Sequence, residues 1–397
     1  MTIDMVFDKA FTGREGRGRS KTVGIYVHVP FCMSKCHYCD FCSVTRADEA
    51  KKDAYASRIC DEIREFAEKI RQTGELPQAD TVYFGGGTPT LMSAEQFSRI
   101  LETVDSNFGI SEGAEITAEC NPRSIDGKGL SDLRKSGVNR LSIGMQSIHD
   151  SELRMLGRIH NSGDFLETLG EAREAGFDNI SVDLMYGIPN QTRETFKKSV
   201  EGLAMLAPEH ISSYSLTVEE ETNFYRRRDS LDLPDEDTVS DMYADMGEIL
   251  DKHGYHKYEI SNFSKEGRES RHNLKYWTCE NYLGFGSAAH SYFDGIRFAH
   301  SRDIDAYIDG KSTIIDIEPI DKREAMNEYV MLGMRLSKGI DILDFKARFG
   351  EDFLCIFEKV KQYSPDFVEI TEKRCRFTDK GMFVSNSVLS DVLDFGE

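Results

Sequence analysis

The chain has 397 residues, 39% hydrophobic and 30% charged, with few prolines and a formal net charge of -20. The length accommodates one barrel of ordinary size with smaller appendages. No apolar run approaches a membrane span, and the acidic balance argues against a general nucleic-acid surface, so no nucleic-acid partner is expected, because phosphate binding needs clustered Lys and Arg.

Residues 1–22 carry basic residues but no apolar core of signal-peptide type, so a flexible or loosely docked N-terminus is expected, with the cytoplasm as default location. From Gly24 to about Thr217 a β-rich run, a Gly or polar break and an amphipathic stretch repeat in turn. Strands are expected at Ile25–Pro30, Thr81–Phe84, Glu115–Glu119, Arg140–Ile143, Asn179–Met185 and Ile211–Leu216, and helices around 52–72, 93–105, 126–136, 163–175 and 193–206. Six such units predict an α/β fold, a partial or full parallel (β/α) barrel over 23–235. Residues 236–320 read as an extension of the barrel, with a helix at 237–252 and a Tyr, His and Gly-rich stretch at 255–300. From about 321 the run AMNEYVMLGMRL opens a smaller α+β unit, 321–397, that ends in a strand-turn-helix pattern.

Barrel chemistry collects at the C-terminal ends of the strands, and the polar signals fall there. Cys32, Cys36 and Cys39 follow the first strand in CxxxCxxC spacing. Three close thiolates can hold three irons of a 4Fe-4S cube and leave the fourth open to another ligand. With Cys42 they also admit a four-cysteine zinc site, although structural zinc sites usually place two pairs on separate turns. A disulfide framework comes last: the count of nine cysteines is odd, and Cys60, Cys120, Cys279, Cys355 and Cys375 are scattered as free buried thiols would be. Gly85-Gly86-Gly87-Thr88-Pro89 follows the second strand, where consecutive glycines let backbone approach a ligand. The spacing is not that of a dinucleotide fingerprint, and the next helix begins at Ser93 with a capping-box pattern, so a plain turn is the rival reading. Glu119 ends the third strand before Asn121-Pro122, suited to an ammonium group or a ribose hydroxyl; Gln146 follows the fourth, and Asp183 lies near the end of the fifth. Arg158 in LGRIH suits a bidentate grip on a carboxylate. Singly, each of these reads as an ordinary strand-end, helix-surface or backbone-satisfying residue; order and spacing give them meaning.

CxxxCxxC is the signature of the radical S-adenosylmethionine (SAM) superfamily, and YVHVPFCMSKCHYCDF resembles its HemN/HemW branch over nearly the whole chain. The resemblance implies a 4Fe-4S cluster on Cys32, Cys36 and Cys39. It implies SAM contacts at Tyr26, Gly86, Gly87, Thr88, Glu119, Gln146, Arg158 and Asp183, with the GGGTP segment on the amino group of SAM. Tyr38, between two of the cysteines, is placed to pack beside cluster or adenine, or as a core aromatic. HemN-type coproporphyrinogen III dehydrogenases carry a fourth cysteine two residues after the third. Here that position is Phe41, Cys42 comes one place later, and the long N-terminal extension of that branch is missing. Arg271-His272-Asn273-Leu274-Lys275-Tyr276-Trp277 matches the HNxxYW motif of the HemW branch. That branch implies a heme chaperone passing heme to client hemoproteins, with His272 as an available imidazole and Tyr276 and Trp277 as flat faces for a porphyrin. His290 is a weaker second candidate. An electron donor is implied for the cluster, and the family's membrane-bound acceptors admit a peripheral membrane contact. The alternative is a radical SAM enzyme acting on coproporphyrinogen III or another tetrapyrrole.

Overall fold

Six strands follow one another along the chain and across the sheet: β1 (Thr22–Val29), β2 (Gln78–Gly86), β3 (Ile110–Cys120), β4 (Arg140–Gln146), β5 (Ile180–Tyr186) and β6 (His210–Ser215). Each pairs in parallel with the next, Val27 opposite Phe84, Phe84 opposite Ala118, Cys120 opposite Ile143 and Ile143 opposite Val182. The computed structural model describes residues 3–11, 20–311 and 313–393.

Side chains alternate across a strand, and here the alternation puts polarity inside. Val23, Ile25, Val27, Val82, Phe84, Ala118, Leu141, Ile143, Ile180 and Val182 join the apolar core beneath the helices. The other face carries Tyr26, His28, Thr81, Tyr83, Glu119, Ser142, Ser181, Asp183 and His210, joined between neighbouring strands by hydrogen bonds such as Ser142 to Asp183 (3.2 Å) and Ser181 with His210 (2.8 Å). This lumen is built to hold polar groups.

The expected helices are present as α2 (Glu49–Thr73), α3 (Ala94–Phe108), α4 (Gly127–Lys135), α6 (Ser162–Glu174), α7 (Arg193–Met205) and α9 (Glu236–Lys252). Side-chain caps fix their starts: Ser93 with Gln96 forms the anticipated capping box, and Asp48, Asp126 and Asn161 cap their helices likewise. The short α5 (Asp150–Leu156) and α8 (Asn223–Arg226) escaped the sequence reading because a helix of under two turns shows little periodicity.

The sheet runs on past both edges of this barrel. Short antiparallel strands β7 (His256–Lys257) and β8 (Asn262–Ser264) extend it beyond β6. At the other edge β9 (Tyr282–Phe285) pairs in parallel with β1 and continues into an antiparallel run of β10 (His290–Phe293), β11 (Ile296–His300) and β12 (Ile314–Pro319). The order is β12-β11-β10-β9-β1-β2-β3-β4-β5-β6-β8-β7, an open, partial barrel.

Residues 3–11 form helix α1, with Val6 and Phe7 buried in the main core and Phe7 set edge-on to Phe66. For this stretch the docked form of the expectation applies, not the flexible one; residues 12–19 lie outside the described ones. The C-terminal unit has its own apolar core, from Met326 to Leu393, around a three-stranded antiparallel sheet. Lys257 to Asp379 (2.7 Å) and the backbone bond from Ser337 to Tyr258 tie it to the barrel. Cys60, Cys120 and Cys375 are buried as expected, whereas Cys279 is half-buried and Cys355 exposed. No helix among the described residues is long and apolar enough to cross a membrane.

Candidate functional site

The loop after β1 begins with Phe31–Cys32, which pairs in parallel with Val44–Thr45, so residues 33–43 leave and rejoin the barrel at nearly one place. Its excursion is pinned from outside. The His37 backbone N–H donates to the Leu156 carbonyl (2.9 Å), His37 Nδ1 bonds the Met155 carbonyl, and the Phe224 N–H donates to the His37 carbonyl. Tyr38 packs with Leu156, Met185, Ile188 and Phe224 in a small satellite core, its hydroxyl held protonated first by burial. The loop is therefore shaped by the protein around it.

Cys32, Cys36 and Cys39 are all half-buried free thiols on this loop. The Thr88 hydroxyl donates to Cys32 Sγ (3.7 Å) and Arg158 Nη1 to Cys36 Sγ (3.7 Å). Burial, more than any neighbour, pushes Cys32 up and Cys39 up to about 11. Three close, half-buried thiols with a guanidinium at hand fit a metal-sulfur cluster, which would displace thiol protons and whose thiolate charge the arginine would offset. Cys42 turns its thiol away, to the Arg302 carbonyl (3.5 Å). Among the described residues no three His, Cys, Asp or Glu side chains close on a single metal ion. This arrangement suits thiolates on separate irons better than four on one zinc.

Asn121 joins the two donors. Its amide donates to Thr88 Oγ1 (2.8 Å) and its Oδ1 accepts from Arg158 Nη2, which also donates to the Gly144 carbonyl (2.8 Å). A Cβ on Gly144 would stand 2.8 Å from Asn121 Oδ1, 3.0 Å from Gln146 and 3.1 Å from Arg158. The missing side chain thus marks the point where three polar groups converge. Gln146 sits at a slip in the register of β4 against β5 with φ of 68°, a left-handed conformation that is uncommon away from glycine and signals a constrained position.

The glycine run lies close against its own protein. Gly86 has φ of 106°, and a Cβ there would strike the His28 ring at 2.5 Å; one on Gly87 would lie 2.7 Å from the Phe31 carbonyl oxygen. The run is therefore fitted to β1 and to the root of the cysteine loop, which holds Thr88 beneath Cys32. The Gly86 N–H donates to Glu119 Oε2 (3.0 Å) and the Tyr83 hydroxyl to Glu119 Oε1 (2.9 Å). Burial first, then the Asp183 charge, raises Glu119 to about 7, and burial raises Asp183 to about 6. Tyr26 stacks on Tyr83 and bonds His28 Nδ1 (3.1 Å). Two partly neutralised carboxylates in a polar lumen are poised for a cation, which would ionise them.

Gly86, Gly87, Thr88, Glu119, Gln146 and Arg158 lie with the three cysteines at or just beyond the C-terminal ends of β1 to β4, while Tyr26 and Asp183 sit within their strands on the lumen face, Tyr26 stacked on both Tyr83 and His272. Sequence reasoning noted Asn121 only as a strand-end residue and missed Tyr83, although its inward register in TVYF signalled a lumen position.

His272 is elsewhere. Helix α10 (Arg271–Trp277) plugs the opposite end of the barrel, its first N–H groups received by Glu115 at 3.1 Å. His272 is 1% exposed; Nδ1 bonds Thr81 Oγ1 and Nε2 bonds the Tyr276 hydroxyl, both at 2.8 Å, and burial lowers it to about 3. The expectation of an available imidazole is corrected, since both ring nitrogens are engaged and the ring lies stacked under Tyr83 at 5.2 Å. Tyr276 and Trp277 are half-buried, with Tyr276 set edge-on against Tyr282. His290 is exposed at the start of β10.

Comparison with known proteins gives the chain's family and fold. The family model described as the radical SAM superfamily matches residues 26–203, and that described as the HemN C-terminal domain matches 320–384. The chain is 34% identical over 380 residues to a protein named heme chaperone HemW from Lactococcus lactis, covering 93% of this chain and 96% of that one. It is 35% identical to the protein of the same name from Bacillus subtilis, covering 93% and 98%. Its fold is like that of the coproporphyrinogen III oxidase HemN from Escherichia coli, with a TM-score of 0.85 at 22% identity over 100% of this chain and 94% of that one. The chain belongs to the HemW family of radical SAM proteins.

Proposed function

We propose that this protein is a heme chaperone that holds heme and passes it to client hemoproteins, retaining a 4Fe-4S cluster and SAM at the barrel mouth. The observation that carries the reading is the similarity over 93% of the chain to relatives named heme chaperones. Cys32, Cys36 and Cys39 would hold the cluster, which when bound supplies a one-electron donor and an open iron for SAM. The protein supplies placement. Glu119 would take the ammonium of SAM, ionising as it does so, and Asp183 would accept ribose hydroxyl protons. Arg158, fixed through Asn121 and Gly144, would face the carboxylate. An electron donor and an acceptor hemoprotein complete the scheme.

The intact mouth keeps a second reading, coproporphyrinogen III dehydrogenation. Anaerobic reconstitution with iron and sulfide, then incubation with dithionite, SAM and coproporphyrinogen III, separates the two. A brown, SAM-binding protein that makes no protoporphyrinogen IX, yet takes up hemin and releases it to apomyoglobin, is the expected result. Substrate-dependent 5'-deoxyadenosine together with protoporphyrinogen IX would replace the chaperone reading with the enzyme.

A further inference from the structure

The thiols that would hold the cluster do not stand alone, because the protein aims donors at two of the three. The Thr88 hydroxyl donates to Cys32 Sγ and Arg158 Nη1 to Cys36 Sγ, each at 3.7 Å. Ser43 Oγ is buried near Cys32 with no hydrogen-bond partner of its own, a hydroxyl that favours the Cys32 thiolate. Thr88 and Arg158 come from different connections, one after β2 and one after α5, yet a single side chain fixes both. Asn121 Nδ2 donates to Thr88 Oγ1 (2.8 Å), and Asn121 Oδ1 accepts from Arg158 Nη2. Chemistry settles which way the amide points: a guanidinium only donates, so the oxygen must face Arg158 and the NH2 must face Thr88.

The alternative role for Asn121 is to hold its own turn before Pro122. The backbone does that already, since the Ser124 N–H donates to the Asn121 carbonyl (3.0 Å). The amide is left to reach inward, where a Cβ on Gly144 would stand 2.8 Å from its Oδ1. A Thr88 oxygen that accepts from Asn121 has its own hydrogen turned elsewhere, and here it turns to Cys32.

We infer that Asn121 is a positioning residue that sets the reduction potential of the cluster, by holding the Thr88 hydroxyl against Cys32 and the Arg158 guanidinium against Cys36. This rests on the 4Fe-4S part of the proposed function and not on heme. Reduction adds one electron to the cluster, supplied by an external one-electron reductant, and neither makes nor breaks a bond. The added negative charge spreads onto the sulfurs, where a hydroxyl and a guanidinium stabilise the reduced form more than the oxidised one. A cluster with three cysteines and an open iron has no fourth protein ligand to tune it, which leaves hydrogen bonds and charge at the three sulfurs as the protein's lever.

The test is a redox titration of the reconstituted, SAM-free full chain, read by absorbance and electron paramagnetic resonance, with iron and sulfide content measured alongside. Asn121→Ala should lower the potential so that the ratio of reduced to oxidised cluster at a fixed potential falls at least tenfold, about 59 mV for a one-electron couple. Thr88→Val, which keeps the shape and removes the hydroxyl, should lower it by a smaller amount, and Thr88→Ser should restore the wild-type value. In Asn121→Ala with Thr88→Val the shift should be less than the sum of the two, because the bond to Cys32 is lost only once. A wild-type potential in cluster-loaded Asn121→Ala overturns the inference, as do two shifts that simply add. Should Asn121→Ala take up no cluster, the Thr88 pair decides: an unshifted potential in Thr88→Val overturns the inference, and a shift that Thr88→Ser reverses supports it. A wild type that holds no 4Fe-4S cluster overturns the proposed function and the inference together.

Discussion

Replacing Glu119 by Gln should make the ligand-free protein more stable at alkaline pH and leave it unchanged near pH 5.5. Glu119 titrates at about 7 in the fold against an ordinary 4.5. A carboxyl whose folded pKa lies above its unfolded one holds its proton more tightly when folded. Its contribution is therefore complete below the unfolded pKa and is lost as pH rises through the folded one. At about 1.4 kcal/mol per pKa unit, ionisation costs the fold roughly 1 kcal/mol by about pH 5.5 and roughly 3 kcal/mol above pH 7. Gln removes that term. It also gives up one acceptor, because its single oxygen cannot serve both Gly86 N–H and Tyr83 hydroxyl as the carboxylate does; that loss is about 1 kcal/mol. The difference comes to about zero near pH 5.5 and about 2 kcal/mol in favour of Glu119→Gln at pH 8. Urea unfolding of both apo proteins across this range measures it. A difference that does not change with pH would refute the assignment of Glu119 as a carboxyl strained by burial, and a loss of SAM affinity in Glu119→Gln should accompany the gain in stability.

Three further outcomes follow from the geometry. Arg158→Lys keeps the charge but loses the planar fork that reaches Cys36 Sγ, Asn121 and Gly144 together; calorimetric titration should show SAM affinity down at least tenfold, with lower cluster content on reconstitution. Gly87→Ala sets a methyl 2.7 Å from the Phe31 oxygen, which should cost about 1–3 kcal/mol in urea unfolding and lower cluster content by shifting the root of the cysteine loop. Lys275→Met strands Asp80, now held at 2.9 Å by an ammonium that is 4% exposed. Removing one partner of a buried pair costs about 3–5 kcal/mol, so the melting temperature should fall sharply, with hemin binding by the surviving folded protein unaltered.

The six barrel strands and most of their helices were legible because two periods alternate without ambiguity. The apolar faces of β1 to β5 fall at every second residue, and caps such as Ser93 and Asp126 mark helix starts within a residue of where they lie. The run from β9 to β12 was less legible. Its strands are four to six residues long, and two of them are joined by the tight turn at Asp294 and Gly295, so a window long enough to show a period spans more than one strand. The docking of α1 was hidden for a different reason: its nine residues, IDMVFDKAF, are largely apolar, but local pattern does not reveal that Phe66 waits for Phe7. At the mouth, the spacing of thiols, glycines and carboxylates named the right residues, but not Asn121, whose importance lies in bonds to Thr88 and Arg158, distant in sequence.

His272 shows how one motif can be read at the wrong end of a barrel. Its neighbours in sequence, Tyr276 and Trp277, suggest an aromatic cradle, yet its neighbours in space are Thr81, Tyr83 and Glu115, from strands remote in the chain. The ring beneath Tyr83 supports the tyrosine whose hydroxyl holds Glu119. A histidine with both nitrogens bonded is rigid and neutral, and a rigid floor keeps the mouth in place when charge enters it. The sequence signal that suggests ligation thus belongs to a ring whose two nitrogens already have partners, Thr81 and Tyr276. If His272→Gln loosens Tyr83, SAM affinity should fall while the ferric heme spectrum stays as it is; a change in the spectrum with SAM affinity preserved would put heme at the floor after all.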